Sequence, residues 1–204
     1  MTNLLKRILA AIQHCKKWVF AIFIVYCVSC LTGIMMAHSG NSFALSQRDR
    51  IVGNANAHDK ASINYINGNR FKAALIDFSG NLFFGSVTQT VAGLSVVMPF
   101  LSVAYQGWVG GIVSVDGQHV SRFARIKTAM YYLIVLILQF IPYSLAIGSG
   151  VKLGVDTYQL NKGKSLLQFK LSRPALKDVL FIYLLVIPLF FVASCYEFLS
   201  SWNF

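Results

Sequence analysis

Between Asp77 and Asp116 the chain runs through 38 residues without a charged side chain. As one straight helix that run would be about 57 Å long, whereas the hydrocarbon core of a bilayer is about 30 Å thick. It must therefore break, into two short crossings or into one crossing and a re-entrant piece. Gly85, Gly93 and Pro99 are available for the break. Three more uncharged runs surround it. Residues 18–37 give 20 positions, residues 128–151 give 24 with Pro142 inside, and residues 179–196 give 18 with Pro188 inside. Each interior proline removes one backbone hydrogen bond, which a membrane protein tolerates when neighbouring groups satisfy the freed carbonyl.

Composition agrees. Apolar residues make up 56% of the chain and charged residues 12%, against about 25% charged in a soluble domain. So little charge cannot coat a globule of 204 residues, and disorder would need the opposite balance. The net charge of +11 would point to nucleic acid in a soluble protein. Here Lys and Arg stand at the ends of apolar runs, and no basic stripe alternates with stacking aromatics, so nucleic acid is not an expected partner. Membrane lipids are. The four cysteines, Cys15, Cys27, Cys30 and Cys195, form no paired CxxC pattern and read as small hydrophobes.

The expected fold is all-α: a polytopic membrane protein of about five transmembrane helices, some broken at Pro or Gly. Residues 1–17 read as a basic amphipathic helix on the membrane surface, 18–37 as an uncleaved transmembrane anchor, and 38–72 as a polar extramembrane segment, partly helical, with a loop at Asn67-Gly68-Asn69. Residues 73–204 read as a compact bundle of about four spans. Five crossings with the N-terminus inside place ten Lys and Arg inside and eight outside, whereas four crossings reverse the bias to seven and eleven. The positive-inside rule therefore favours five, with a cytoplasmic N-terminus in an inner (plasma) membrane.

Polar groups at membrane depth are the candidate site residues, because they are costly there. On an α-helix Asp77, Asn81, Gly85 and Thr88 share one face. That stripe reads either as a coordination or relay site or as helix–helix glue. Glu197 reads as an interface position or as a partner of Arg122 or Arg125. Gln89, beside Thr88 and Thr90, and Gln139, one turn before Pro142, are placed to satisfy broken backbone. Two GxxxG patterns, Gly107–Gly111 and Gly150–Gly154, mark helix faces that let another backbone close in. No catalytic residues and no cofactor or metal ligands are predicted. His14, His38, His58 and His119 form no metal-binding pair, and neither a GxSxG elbow nor a Walker-type loop occurs.

Several stretches resemble the stage II sporulation protein M family of integral membrane proteins. They are FKAALIDFSGNLFFG (71–85), YQGWVGG (105–111), LILQFIPYSLAIGSGVKLG (136–154) and VASCYEFL (192–199). The order of elements is similar too: a basic start, an anchor, a polar stretch, then Gly- and Pro-rich spans. Many members carry a Pro-His-Gly and a Glu in the broken span, but residues 140–144 read Phe-Ile-Pro-Tyr-Ser. The resemblance implies a non-catalytic component of an envelope assembly that scaffolds partner proteins. The rival expectation is a channel, or the membrane subunit of an exporter whose separate ATPase partner supplies the nucleotide site. A homo-oligomer is compatible with either.

Overall fold

The computed structural model describes residues 2–163 and 170–200, and among them the chain is all helix apart from turns and one isolated bridge between Val115 and Ser121. Helix α1 spans Thr2–His38 without interruption. No proline or glycine separates residues 1–17 from the apolar run, so the basic segment continues the axis of the anchor instead of forming a separate surface helix. Ala11 and Cys15 from that segment are buried in the core. Gly40, at φ +73°, ends the helix, and the Asn41 amide donates back to the Met36 carbonyl at 3.1 Å.

The polar segment folds into two short helices. In α2 (Ser42–His58) the Asn41 side chain accepts from the Ala44 amide at 3.0 Å. In α3 (Lys60–Ile66) the Asp59 carboxylate accepts from the Ser62 amide at 2.8 Å. Both are N-caps, in which a short side-chain oxygen satisfies an amide left free by the first helical turn. The expected loop follows, with Gly68 at φ +81°.

The long uncharged run does break. Helix α4 (Arg70–Ser79) passes into a π-helical stretch (Gly80–Val87) and then α5 (Thr88–Ala92), one nearly continuous path. A short 3₁₀ turn (Gly93–Ser95) and Val96, at φ +63°, reverse the chain. Pro99 lies in the first turn of α6 (Met98–Ile112), where its missing amide leaves no bond unmade. Helix α7 (Ile126–Asn161) runs through Pro142, and α8 (Arg173–Leu199) runs through Pro188.

Contacts define the order. Helix α7 is antiparallel to α1: Gly148 packs on Val19, and the Phe140 ring lies on Tyr26. The α4–α5 path is antiparallel to α8, with Asp77 against Ser194 and Ser86 against Tyr183. Helix α6 is parallel to α1, with Gly107 beside Tyr26 and Gly111 beside Cys30. Three helices, α1, α7 and α8, are each long and apolar enough to cross a membrane, which fits a membrane protein. The α4–α5 path packs on α7 and α8, and α6 packs on α1. Large apolar side chains such as Phe20, Met35, Phe84 and Ile126 remain on the outside, as they must where the surrounding solvent is lipid.

Both GxxxG patterns are used inside the chain. A Cβ on Gly107 would stand 2.6 Å from the Tyr26 carbonyl oxygen, and one on Gly150 would stand 2.5 Å from that of Thr90. These faces are occupied by the protein's own helices.

Candidate functional site: an acidic pocket in the helix bundle

The two acidic residues singled out above meet in one cavity of about 430 Å³. Asp77 and Asn81 come from the α4–α5 path, Gln106 from α6, Gln139 and Tyr143 from α7, and Glu197 from α8. Tyr26 of α1 and the exposed Tyr105 of α6 line it as well, and the pocket is open to the outside. Gln139 is close to the middle of the uncharged run of α7 and Tyr26 close to the middle of that of α1, whereas Asp77 and Glu197 stand at the ends of theirs.

Its bonds form a short network. The Asn81 amide donates to Asp77 Oδ2 at 2.9 Å, one helical turn away, and the Ser194 hydroxyl donates to the same oxygen at 2.6 Å. The Tyr143 hydroxyl donates to Asn81 Oδ1 at 2.8 Å. On the other wall the Gln139 amide donates to Glu197 Oε2 at 3.3 Å. The Tyr131 hydroxyl holds the Glu197 carbonyl at 2.6 Å and so fixes where that side chain starts. The side-chain oxygens of Gln106 and Gln139 are buried without a partner. No Lys, Arg or His is among the lining residues, and no ion pair among the described residues involves Asp77 or Glu197.

The expected partnership of Glu197 with Arg122 or Arg125 is therefore not what these residues make. Arg122 and Arg125 belong to the 113–125 connection, whereas Glu197 turns inward to Gln139. Gln139 in turn spends its donor on Glu197 and not on the carbonyl freed by Pro142. Of the predicted stripe, Asp77 and Asn81 share the chamber, and Gly85 packs against the Tyr143 ring, 3.0 Å from where its Cβ would be. Thr88 does not join them. It is exposed and donates to the Phe83 carbonyl at 3.1 Å. The π-helical stretch turns through less angle per residue than an α-helix. Every position after it is rephased, which swings Thr88 out and Ser86 and Thr90 in. Gln89 stays outside the chamber, and its side-chain oxygen is buried without a partner.

The rephased face builds a second polar knot. Tyr183 of α8 places its hydroxyl 2.9 Å from Ser86 Oγ and 2.8 Å from Thr90 Oγ1, and the Thr90 hydroxyl reaches the Ala146 carbonyl at 3.2 Å. Sequence reading missed Tyr143, Gln106, Ser194 and this knot. Tyr143 alone had a signal, standing four residues after Gln139 on the same helix face. A lone Ser or Tyr inside an apolar run carries none.

A second cavity, of about 650 Å³, opens where α3 meets α4. His58, Asp59, Lys60 and Lys72 line it together with Asp77 and Asn81. Asp77 and Asn81 thus line both pockets. Among the described residues no group of three or more His, Cys, Asp or Glu side chains could hold a metal ion. The chamber offers two carboxylates and two amide oxygens, hard donors that suit a proton or a small hard cation. No known protein family, curated protein or solved structure matches the chain.

Proposed function

We propose that this protein crosses a plasma membrane five times, with its N-terminus cytoplasmic, and moves a proton or small cation through the Asp77–Glu197 chamber. It does so either as a channel or as the membrane subunit of a transporter energised by a partner ATPase. One observation carries the reading: two carboxylates share a pocket that no basic side chain lines, next to the middle of the apolar runs of α1 and α7. Buried like charges are not left uncompensated, and where the protein provides no cation the balance comes from bound protons or a bound ion. Ionisable groups in such positions mark ion pathways. The cavity at the α3–α4 end supplies the way in, with Asp77 and Asn81 as the shared wall.

The test is flux in proteoliposomes that carry a trapped pH dye, driven by an imposed membrane potential. Wild-type protein should acidify or alkalinise the lumen with the sign of the potential. Asp77→Asn and Glu197→Gln should each reduce that flux at least about tenfold while the purified variants keep their elution volume and helicity. Absence of wild-type flux for protons and for Na⁺ and K⁺, or full flux in both variants, overturns the reading.

A second reading keeps the resemblance to the stage II sporulation protein M family: a non-catalytic scaffold in an envelope assembly. It is favoured by the polar α2–α3 element, which is well capped and exposes Phe43, Tyr65 and Ile66. Since the glycine faces are filled from within, a partner protein would dock on that element. Deleting surface polarity there would abolish co-purification of an envelope partner and leave ion flux unchanged.

A further inference from the structure

The acidic pocket is far larger than a bare inorganic ion needs. Its volume of about 430 Å³ has room for about a dozen waters at about 30 Å³ each. It also falls within the range of about 300–1,000 Å³ in which proteins hold small organic molecules. Each carboxylate keeps one oxygen free. Asp77 accepts from Asn81 and Ser194 at Oδ2, and Glu197 accepts from Gln139 at Oε2. Asp77 Oδ1 and Glu197 Oε1 have no hydrogen-bond partner among the described residues, and neither is sealed from the opening. The buried, unpartnered side-chain oxygens of Gln106 and Gln139 stand in the same wall. Four acceptors are thus unmet in one pocket.

The spacing of the two charges is set by α8. Ser194 holds Asp77, and Glu197 follows three residues later on the same helix. Residues three apart on a helix have Cβ atoms about 5–6 Å apart, so the two carboxylates lie about one helical turn from each other. Between and around them the wall is carbon: Val109 of α6 and Val135 and Leu136 of α7. Tyr105, 57% exposed, puts an aromatic ring at the open side, and such a ring attracts ammonium groups through its electron-rich face. A proton or a metal ion makes use of neither the apolar wall nor the ring. An alkyl diammonium makes use of both. Each of its ammonium groups brings one charge and three N–H donors, and its methylene chain covers the apolar wall. Lys60 and Lys72, which would repel it, line the adjoining pocket and not this one.

We propose that the acidic pocket binds a short linear diamine in its doubly protonated form. One ammonium donates to Asp77 Oδ1 and the other to Glu197 Oε1, the chain between them lies on Val109, Val135 and Leu136, and Tyr105 flanks the entry. Two positive charges then balance two negative ones, which removes the cost of an uncompensated pair. This inference rests on the reading of the pocket as a cation site and narrows the cation to an organic one.

Isothermal titration of the full-length protein in detergent, with 1,4-diaminobutane or n-butylamine at one fixed ionic strength, tests it. The expected result is one 1,4-diaminobutane bound per chain, at least about tenfold more tightly than n-butylamine. Glu197→Gln removes one of the two charges and should bring the two amines within about twofold of each other. Tyr105→Leu changes an exposed position, so the fold is kept, and it should weaken both amines a few-fold at unchanged helicity and elution volume. No saturable heat with the diamine, equal affinity for the two amines in the wild type, a diamine preference that survives Glu197→Gln, or undiminished binding in Tyr105→Leu would each overturn the proposal. Ion flux in a protein that binds no diamine sinks this inference and leaves the transport reading standing. Diamine binding in a protein that passes no proton, Na⁺ or K⁺ does the reverse.

Discussion

The hydroxyl of Ser194 donates to the carboxylate of Asp77 at 2.6 Å, across 117 positions of sequence. This bond ties the last helix to the break-bearing α4–α5 path, beside the chamber. Ser194→Ala leaves Asp77 with the Asn81 amide as its side-chain donor. Hydrogen bonds to charged groups contribute about 1.5–3 kcal/mol, but side-chain bonds inside membranes average nearer 0.6 kcal/mol. We expect a loss of about 1 kcal/mol, measured as a lowered unfolding midpoint in detergent. A loss within 0.3 kcal/mol would mean that the bond does not tie α8 to α4.

Thr88 and Thr90 separate the α-helical reading of the polar stripe from the observed one. Thr90→Val removes the hydroxyl shared by Ser86, Ala146 and Tyr183 and should destabilise by about 1 kcal/mol. Thr88→Val alters an exposed residue and should stay within about 0.5 kcal/mol of wild type. Thermal unfolding of the two variants side by side decides it. The reverse order would mean that residues 80–87 are regular α-helix.

Glycine substitutions give opposite signs at two sites. A methyl group at Gly150 or Gly154 meets the backbone at Thr90 or Gly93, and backbone cannot step aside as a flexible side chain can. Gly150→Ala should destabilise by about 1–3 kcal/mol, as overpacking does. Gly53, inside exposed α2, has nothing within 4 Å of where its Cβ would be. Gly53→Ala should stabilise by about 0.5–1 kcal/mol, because glycine loses more chain entropy in a helix than alanine. Chemical unfolding in mixed micelles reads both.

The 113–121 connection is held to α2 by charge. Arg48, 6% exposed, donates to the Val115 carbonyl at 3.3 Å and to Asp49 Oδ1 at 3.0 Å. The His119 ring nitrogen lies 2.9 Å from the other Asp49 oxygen. Hydrogen bonds from Arg48 and then His119 hold the Asp49 carboxyl below its ordinary value of 3.8. The Val120 and Gln118 amides do the same for Asp116. Groups with depressed folded values add stability above the unfolded value and lose it as pH falls through the folded one. Amide protection factors at 113–121, the intrinsic rate at each pH divided by the observed one, should therefore be unchanged from pH 7 to about 5 and fall below about pH 4. Asp49→Asn should show the lower protection already at pH 7.

How much was legible follows from the range of each interaction. The Asp77–Asn81 bond spans one helical turn, and helical spacing alone places both on one face. Gly68 in a left-handed turn, Pro99 in the first turn of α6 and the close-packed glycines at 107, 111, 150 and 154 are equally local statements. Glu197 and Gln139 were conspicuous as polar groups in apolar runs. That they bond to each other was not legible, because nothing in either run encodes which helix lies opposite. Thr88 was assigned to the polar face because one π-helical stretch, invisible in composition, rephases all that follows it.

The sequence by itself determined that this chain is helical and built of apolar runs too long to stay unbroken, because charge is too sparse for water and the runs exceed one bilayer thickness. It also placed the turn at Gly68, since Gly acts on its own backbone, but Pro142 and Pro188 lie inside unbroken helices and Val96 carries the reversal before α6. Only the tertiary structure decided that Asp77 and Glu197 look into one chamber with no basic side chain between them. That juxtaposition depends on which helices are neighbours and on their rotation about their own axes. Packing sets both through close approaches such as Gly150 on Thr90, between residues that the chain itself keeps far apart.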